Sequence, residues 1–402
     1  MHNVLVLGGG KVGKSVAELF LACGGGAYKV TLADRDAVNL KEAEVNMARL
    51  KTLAPHPVEF VTKQIDATNT AAVRELMKGH QYLVCMLPYD LVAGIAELAN
   101  ELGVHYFDVT EDVKATERVK ALTARGGVKV ALMPQCGLAP GYIAIAGYEV
   151  ARQYSEIHEL TLRVGALPQY PTNALHYNVT WSVAGVVNEY CEPCNVMLDG
   201  DMTKLPALEG LERFSFEGVE YEAFYTSGGV GTLIETLVAE KKTGKESKIA
   251  YKTIRYPGHR DLMTFLLHDL RLNVEHAKPG VNGRVFDRRL AMDLLEHAIA
   301  RTLQDVVVIF IHGIGMRDGR REQINFKRAI RATEIFGRVW PAIELTTAAG
   351  VCAMVDLHRL GKLPSTGFIR QEECSLATFN QTVFGLAYEN PEGIEAAVKG
   401  KR

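Results

Sequence analysis

Asn3-Val4-Leu5-Val6-Leu7-Gly8-Gly9-Gly10-Lys11-Val12-Gly13 decides the fold class of this chain: an apolar strand, a Gly-x-Gly-x-x-Gly turn, then an apolar-periodic helix carrying Val16, Leu19 and Phe20. Each glycine has its own task in such a turn. Gly8 permits the tight bend, Gly10 lets the backbone approach a pyrophosphate, and Gly13 lets the helix lie close on the strand. Lys11 and Val12 open the helix, whose N-terminal N–H groups stabilise phosphate charge. A second strand, Lys29-Val30-Thr31-Leu32, runs to Asp34. An acid about 20 positions past the last glycine accepts hydrogen bonds from both adenosine ribose hydroxyls. A strand-to-helix turn without ligand would not account for Asp34. The carboxylate repels a 2′-phosphate, so NAD is the expected cofactor. Arg35 keeps NADP open, because its guanidinium can bind that phosphate or lie on the adenine.

A chain of 402 residues, 48% hydrophobic, is long enough for two or three domains, each with its own core. Its 45 Lys and Arg nearly balance 47 Asp and Glu, so no net field attracts nucleic acid. The first strand follows Met1 at once, which reads as no signal peptide. No apolar run reaches the roughly 18 residues of a membrane span, and a cytoplasmic protein is expected. Seven scattered cysteines argue for free thiols in a reducing compartment. Cys191-Glu192-Pro193-Cys194 has no second ligand pair at zinc spacing and no thioredoxin-like setting, so no metal is expected.

After the glycine turn, strand signals alternate with helical ones. The strands are Val58-Glu59-Phe60-Val61, Tyr82-Leu83-Val84-Cys85-Met86, Val104-His105-Tyr106-Phe107 and Val128-Lys129-Val130-Ala131-Leu132, with helical spacing over Thr70 to Met77 and Leu91 to Leu102. Such alternation predicts an α/β fold: a doubly wound parallel sheet, the Rossmann arrangement, over residues 1–138. Cys136-Gly137-Leu138-Ala139-Pro140-Gly141 then marks a boundary and feeds a helix from Tyr142 to Arg152. Beyond it come alternating strands, Glu159 to Val164 and Ile249 to Tyr256, and a hairpin in which Arg317-Asp318-Gly319-Arg320 joins Val306–Ile314 to Arg321–Phe326. This predicts an α+β substrate domain over 139–335 with a largely antiparallel sheet suited to lining a cleft. Residues 336–402 hold a core helix, Pro341 to Arg359, returning to the first domain or the domain junction. The polar tail after Glu389 reads as loosely held.

These segments resemble the saccharopine dehydrogenase family, in the branch shared by saccharopine reductases and lysine 6-dehydrogenases. The resemblance covers most of the chain. It rests on Val6 to Gly13, on Leu87-Pro88-Tyr89, on Gly137-Leu138-Ala139-Pro140-Gly141, on Glu222-Ala223-Phe224-Tyr225-Thr226-Ser227-Gly228-Gly229, and on Tyr251-Lys252-Thr253-Ile254-Arg255-Tyr256-Pro257-Gly258-His259. It implies oxidation of a C–N bond of an amino acid with a nicotinamide cofactor. Saccharopine reductases usually show Asp where this chain has Ala139, and the Thr-Ser-Gly-Gly and Ile-Arg-Tyr segments look closer to lysine 6-dehydrogenases. A homodimer acting on a small amino-acid substrate is expected.

Ligands of doubly wound sheets sit beyond the carboxyl ends of the strands, which places Tyr89, Asp108 and Cys136 together as candidate catalytic residues. Amine oxidation needs an acid or base near operating pH. Asp108 is a candidate proton acceptor or partner of a substrate ammonium, or else the cap of a helix starting near Asp112. Tyr89 positions substrate, relays a proton, or packs under the cofactor. Cys136 reads chiefly as a small residue lining the site. Asp66 resembles the family's adenine-contacting acid, or stands at the start of the next helix.

In the second domain, Arg255 suits bidentate binding of a substrate carboxylate, against the plainer reading of a surface salt bridge. Arg163 and Lys252 are further cations that alternate plausibly on strands. Gly228 and Gly229 lie in a turn that forms either an anion nest or a plain connection. His259 is a candidate substrate-side proton carrier, or structural. Trp181 is a cleft wall or ordinary helix packing. The leading reading is a glutamate-forming saccharopine dehydrogenase. A lysine 6-dehydrogenase and a non-catalytic nucleotide-binding protein are the alternatives.

Overall fold

A computed structural model describes residues 1–124, 126–275, 279, 283 and 285–400. The chain divides into two compact units. Unit 1 is Met1–Ile145, Thr333–Trp340 and Glu344–Arg402, and unit 2 is Ala146–Ala332 with Pro341–Ile343.

Unit 1 opens as the glycine pattern requires, with β1 (His2–Leu7), α1 (Lys11–Cys23) and β2 (Tyr28–Asp34). There follow α2 (Ala37–Leu53), β3 (Glu59–Gln64), α3 (Thr70–Met77), β4 (Tyr82–Cys85), α4 (Tyr89–Leu102), β5 (His105–Asp108), α5 (Val113–Ala124) and β6 (Ala131–Met133). Every pairing in this sheet is parallel. The order β3-β2-β1-β4-β5-β6 is that of a dinucleotide-binding sheet. Val4, Leu5 and Val6 are wholly buried, each contributing about 1.5–3 kcal/mol of apolar transfer. One face of the sheet packs Leu5, Leu7, Leu83, Tyr106 and Leu132 against Val92, Ala96, Ala99 and Val119 of α4 and α5. The first stretch of unit 1 runs to Ile145, inside α6 (Tyr142–Ala151).

Unit 2 is built on β7 (Glu156–Pro168), α7 (Val183–Cys191), β8 (Cys194–Leu198), β9 (Asp201–Leu205), β10 (Glu212–Phe216), β11 (Val219–Tyr225), α8 (Leu233–Ala239), β12 (Thr243–Arg255), α9 (His259–Thr264), α10 (Arg288–Ala298), β13 (Asp305–Arg317) and β14 (Arg320–Arg331). Its eight-stranded sheet runs β10-β11-β12-β7-β13-β14, with β8 and β9 branching from β12. The single parallel pairing joins β12 to β7, and the rest are antiparallel. The Asp318-Gly319 turn closes the β13–β14 hairpin, both residues adopting positive φ.

The chain then returns to unit 1 through the hairpin β15 (Thr333–Ile335) and β16 (Arg338–Trp340), α11 (Ala342–Arg359) and β17 (Gly367–Phe368). The first turn of α11 is capped by Asp305, whose carboxylate accepts from Ala342 N (2.5 Å) and Ile343 N (2.9 Å). Strand β17 adds a seventh parallel strand beside β6, which the two-residue run Gly367-Phe368 does not announce in the sequence. The polar tail also departs from expectation. Residues Ile394–Gly400 form a helix in which Ile394 and Val398 are buried, and Glu395 accepts from Phe336 N at 2.9 Å. An apolar pair four residues apart is enough to dock one helical turn, yet too short to register as periodicity. Among the described residues no helix is long and apolar enough to cross a membrane.

Candidate active site

The carboxyl edge of the first sheet gathers the unit 1 candidates. At its β1–α1 corner, Gly8 takes φ +109°, and a Cβ there would lie 2.5 Å from Met86 O. A Cβ on Gly13 would lie 1.9 Å from Gly8 O, so a side chain at that position would force helix and turn apart. Gly10 is different: a Cβ there meets nothing within 4 Å. The N-terminus of α1 has no side-chain cap and no acid in its first turn, whereas α2 and α3 are capped by Asp36 and Asn69. A helix N-terminus without a side-chain cap, with open space beside Gly10, fits a pyrophosphate.

Asp34 ends β2 beside this turn. Its Oδ2 accepts from Gly9 N at 2.5 Å and its Oδ1 from Asp36 N at 2.7 Å, so the carboxylate holds the glycine turn while keeping lone pairs for a ribose. Arg35 and Asp66 are exposed. Asp66 accepts from Thr68 N and Thr68 Oγ1, and these bonds hold its carboxyl below the usual range. It precedes rather than caps α3, whose cap is Asn69. Lys11 lies within 3.7 Å of Glu344, a buried acid of α11 that also pairs with Arg338. Val12, half-buried, sits with it in the first turn of α1.

At the far side of the same edge, Asp108 ends β5 with no exposed surface. Its Oδ2 accepts from Tyr106 Oη (2.7 Å), and its Oδ1 from Thr110 N (2.9 Å) and Gln135 N (3.0 Å). Burial pushes its pKa up to about 6, against the opposing pull of those three donors. The role of helix cap falls instead to Asp112, which accepts from Ala115 N at 2.7 Å at the start of α5. Glu111, absent from the sequence reading, is likewise pushed up to about 6 by burial, with Asp112 and Asp108 adding to the effect.

Cys136 follows through the turn after β6, its N–H donating to Asp108 O at 2.7 Å. Its thiol donates to Met133 O at 3.0 Å and accepts from Gln371 Nε2 at 3.3 Å, and burial holds its pKa well above the ordinary thiol value. It is therefore a neutral thiol at neutral pH. Tyr89 opens α4 and is 40% exposed, so its ring is not packed away in the core. Asp108 and Cys136 are thus brought together, with Tyr106, Gln135 and Gln371 as supports. Tyr106 had a signal, since two residues' separation on a strand puts it on the face of Asp108. Gln371 had none.

In unit 2, Arg255 ends β12 only 2% exposed. Its Nη1 donates to Ile254 O (2.9 Å), its Nε is buried without a partner, and its guanidinium lies over the rings of Tyr177 (5.3 Å) and Tyr190 (5.8 Å). A surface salt bridge does not describe it. Arg163 and Lys252 do have an acid: both pair with Glu212. His259, 1% exposed, shares one nitrogen with Leu175 O (2.9 Å) and the other with Tyr190 Oη (3.1 Å). Burial, then Arg255, push its pKa down to about 3, so it is a neutral ring that fixes Tyr190.

Gly228 turns with φ +86°, and Gly229 packs on Tyr251, where a Cβ would lie 2.2 Å from the ring. The neighbouring Ser227 N and Gly231 N donate to Glu189 O and Gly228 O, so the turn is chiefly a packed connection. Trp181 leads into α7 and lies against Gly185. All seven cysteines are free, and no His, Cys, Asp and Glu group among the described residues could hold a metal.

The two halves of the chain match two models of one family. Residues 4–129 match the saccharopine dehydrogenase NADP binding domain and residues 137–384 the saccharopine dehydrogenase C-terminal domain. The chain belongs to the saccharopine dehydrogenase family. Its first domain is accordingly a nicotinamide-dinucleotide-binding domain of an oxidoreductase fold. Among solved structures it is similar to an apo saccharopine dehydrogenase (L-Glu forming) from Saccharomyces cerevisiae, with a TM-score of 0.71, 16% identity and coverage of 96% of this chain and 97% of that one. It is also similar to a homospermidine synthase from Legionella pneumophila in complex with NAD, with a TM-score of 0.62, 13% identity and coverage of 96% and 89%. At these identities the likeness is one of fold.

Proposed function

We propose that this member of the saccharopine dehydrogenase family oxidises the C–N bond of saccharopine, with water, to glutamate and 2-aminoadipate semialdehyde, or runs the reverse reaction. The observation that carries this reading is Asp108: a buried carboxyl with its pKa near 6, at the carboxyl edge of a dinucleotide-binding sheet. The bound nicotinamide supplies the hydride acceptor. Asp108 takes the proton that leaves the substrate nitrogen, and Cys136 remains a neutral wall of the same site. Tyr89 orients the substrate. Arg255 binds a substrate carboxylate, and the Gly228-Gly229 turn and His259 hold the side chains around it in place.

Oxidation of lysine at its ε-amine is the second reading, and one observation favours it. Of the three candidate cations, Arg163 and Lys252 share the one carboxylate of Glu212, whereas Arg255, which feels the Glu189 charge without an ion pair to it, keeps a buried Nε open for a carboxylate. A single anchor fits lysine's one carboxylate better than the three of saccharopine.

Steady-state turnover of saccharopine and lysine at matched concentrations separates the two. For whichever is used, Arg255→Met is expected to lower kcat/KM by about 2–5 kcal/mol, because the substrate carboxylate would be desolvated without a partner. NAD affinity should stay unchanged. A lowered melting temperature with kinetics intact would make Arg255 structural.

NAD is the expected cofactor, since Asp34 ends β2 beside the glycine turn, where its carboxylate would accept from ribose hydroxyls and repel a 2′-phosphate. The ratio of kcat/KM for NAD over NADP should exceed one and fall towards or below one in Asp34→Ala. The ratio is the proper readout, because losing the Gly9 contact weakens both cofactors alike. A wild-type preference for NADP would mean that Arg35 governs the site.

A further inference from the structure

Gln371 stands beside Cys136 although 235 residues separate them in sequence. It is brought there by β17. That strand runs parallel to β6, and Ile369 N donates to Leu132 O (3.0 Å), so the chain leaving β17 emerges at the same carboxyl edge as Asp108 and Cys136. Gln371 is 4% exposed. Its Nε2 donates to Pro134 O at 2.8 Å and to Cys136 Sγ at 3.3 Å. The Pro134 carbonyl can only accept, which fixes which end of the carboxamide is nitrogen: the reverse placement would set two oxygens against each other. Oε1 is therefore the other end. It is buried and has no hydrogen-bond partner.

A buried carbonyl oxygen without a donor is costly, and native proteins keep few of them. What completes it must carry an N–H or O–H; a carboxylate or phosphate, being acceptors only, cannot. In parallel sheets of this order a dinucleotide lies across the carboxyl edge. A dinucleotide whose adenosine ribose met Asp34 at β2 would extend its nicotinamide half towards β5 and β6. The donors on nicotinamide are the two N–H groups of its carboxamide.

We propose that Gln371 is a further dinucleotide-binding residue, its Oε1 accepting a hydrogen bond from the nicotinamide carboxamide N–H while its Nε2 holds the Cys136 thiol. This deepens the reading of the Asp108–Cys136 edge as the reacting end of the site. It is independent of which amino acid is oxidised.

The test is binding without substrate, by calorimetry, of NAD and of 3-acetylpyridine adenine dinucleotide, in which a methyl group replaces the carboxamide NH2. The wild-type protein should bind the analogue about tenfold more weakly than NAD. In Gln371→Met that ratio should collapse towards one, through loss of NAD affinity with analogue affinity kept. An unchanged ratio in the variant, or a wild-type ratio near one, overturns the proposal. The second outcome is expected if only an ordered water satisfies Oε1, and it needs no variant to fold.

Discussion

Asp108→Asn is expected to lower kcat/KM for amine oxidation by about 10²–10⁴-fold, the usual contribution of a positioned acid or base. The amide is nearly isosteric and its oxygen can still accept from Thr110 N and Gln135 N, so the turn after β6 should survive. The pH dependence gives the sharper signature. If the Asp108 carboxylate accepts the proton, wild-type kcat/KM rises with pH through about 6 and then levels, and the variant lacks that limb. Stability has the opposite sign. A carboxyl whose folded pKa is raised binds its proton more tightly in the native state, so this group's contribution to stability falls as pH rises from about 4 towards 6. Removing the charge should flatten that slope. A variant with intact kinetics and a lower melting temperature would reduce Asp108 to a tie between β5 and the turn.

Gly10→Val is expected to abolish dinucleotide binding, by on the order of a hundredfold or more in Kd, while leaving the fold in place. The structure supports both halves of that statement. A Cβ at Gly10 meets nothing within 4 Å and its φ of −62° suits any residue, so valine is accommodated. The same branched side chain would occupy the space through which a pyrophosphate reaches the uncapped N–H groups of α1. Gly13→Val is the contrasting control: a Cβ 1.9 Å from Gly8 O should cost stability outright. Calorimetry showing unchanged NAD affinity in a folded Gly10→Val protein would remove the glycine-turn argument.

The sequence by itself determined what short-range pattern can carry. The glycine spacing, the acid at Asp34 and the alternation of strand and helix specified a parallel dinucleotide-binding sheet, because turn geometry and hydrophobic period are properties of a few consecutive residues. Helix α3 was legible to its ends for that reason. Tertiary structure alone decided the rest. Whether Arg163, Lys252 or Arg255 could be a substrate anchor depended on Glu212, which pairs with the first two from another strand. Asp108 owes its raised pKa to burial, and its Oδ1 accepts an N–H from Gln135 in the turn after β6, neither of which is encoded near residue 108. His259 by its type alone read either as a proton carrier or as structural, and only the fold shows Leu175 and Tyr190 at its two ring nitrogens. Gln371 carries no motif at all: its place beside Cys136 follows from a two-residue strand joining the sheet edge. Charge pairing and desolvation are set by neighbours distant in sequence, so the fold is written locally and the chemistry of its side chains is not.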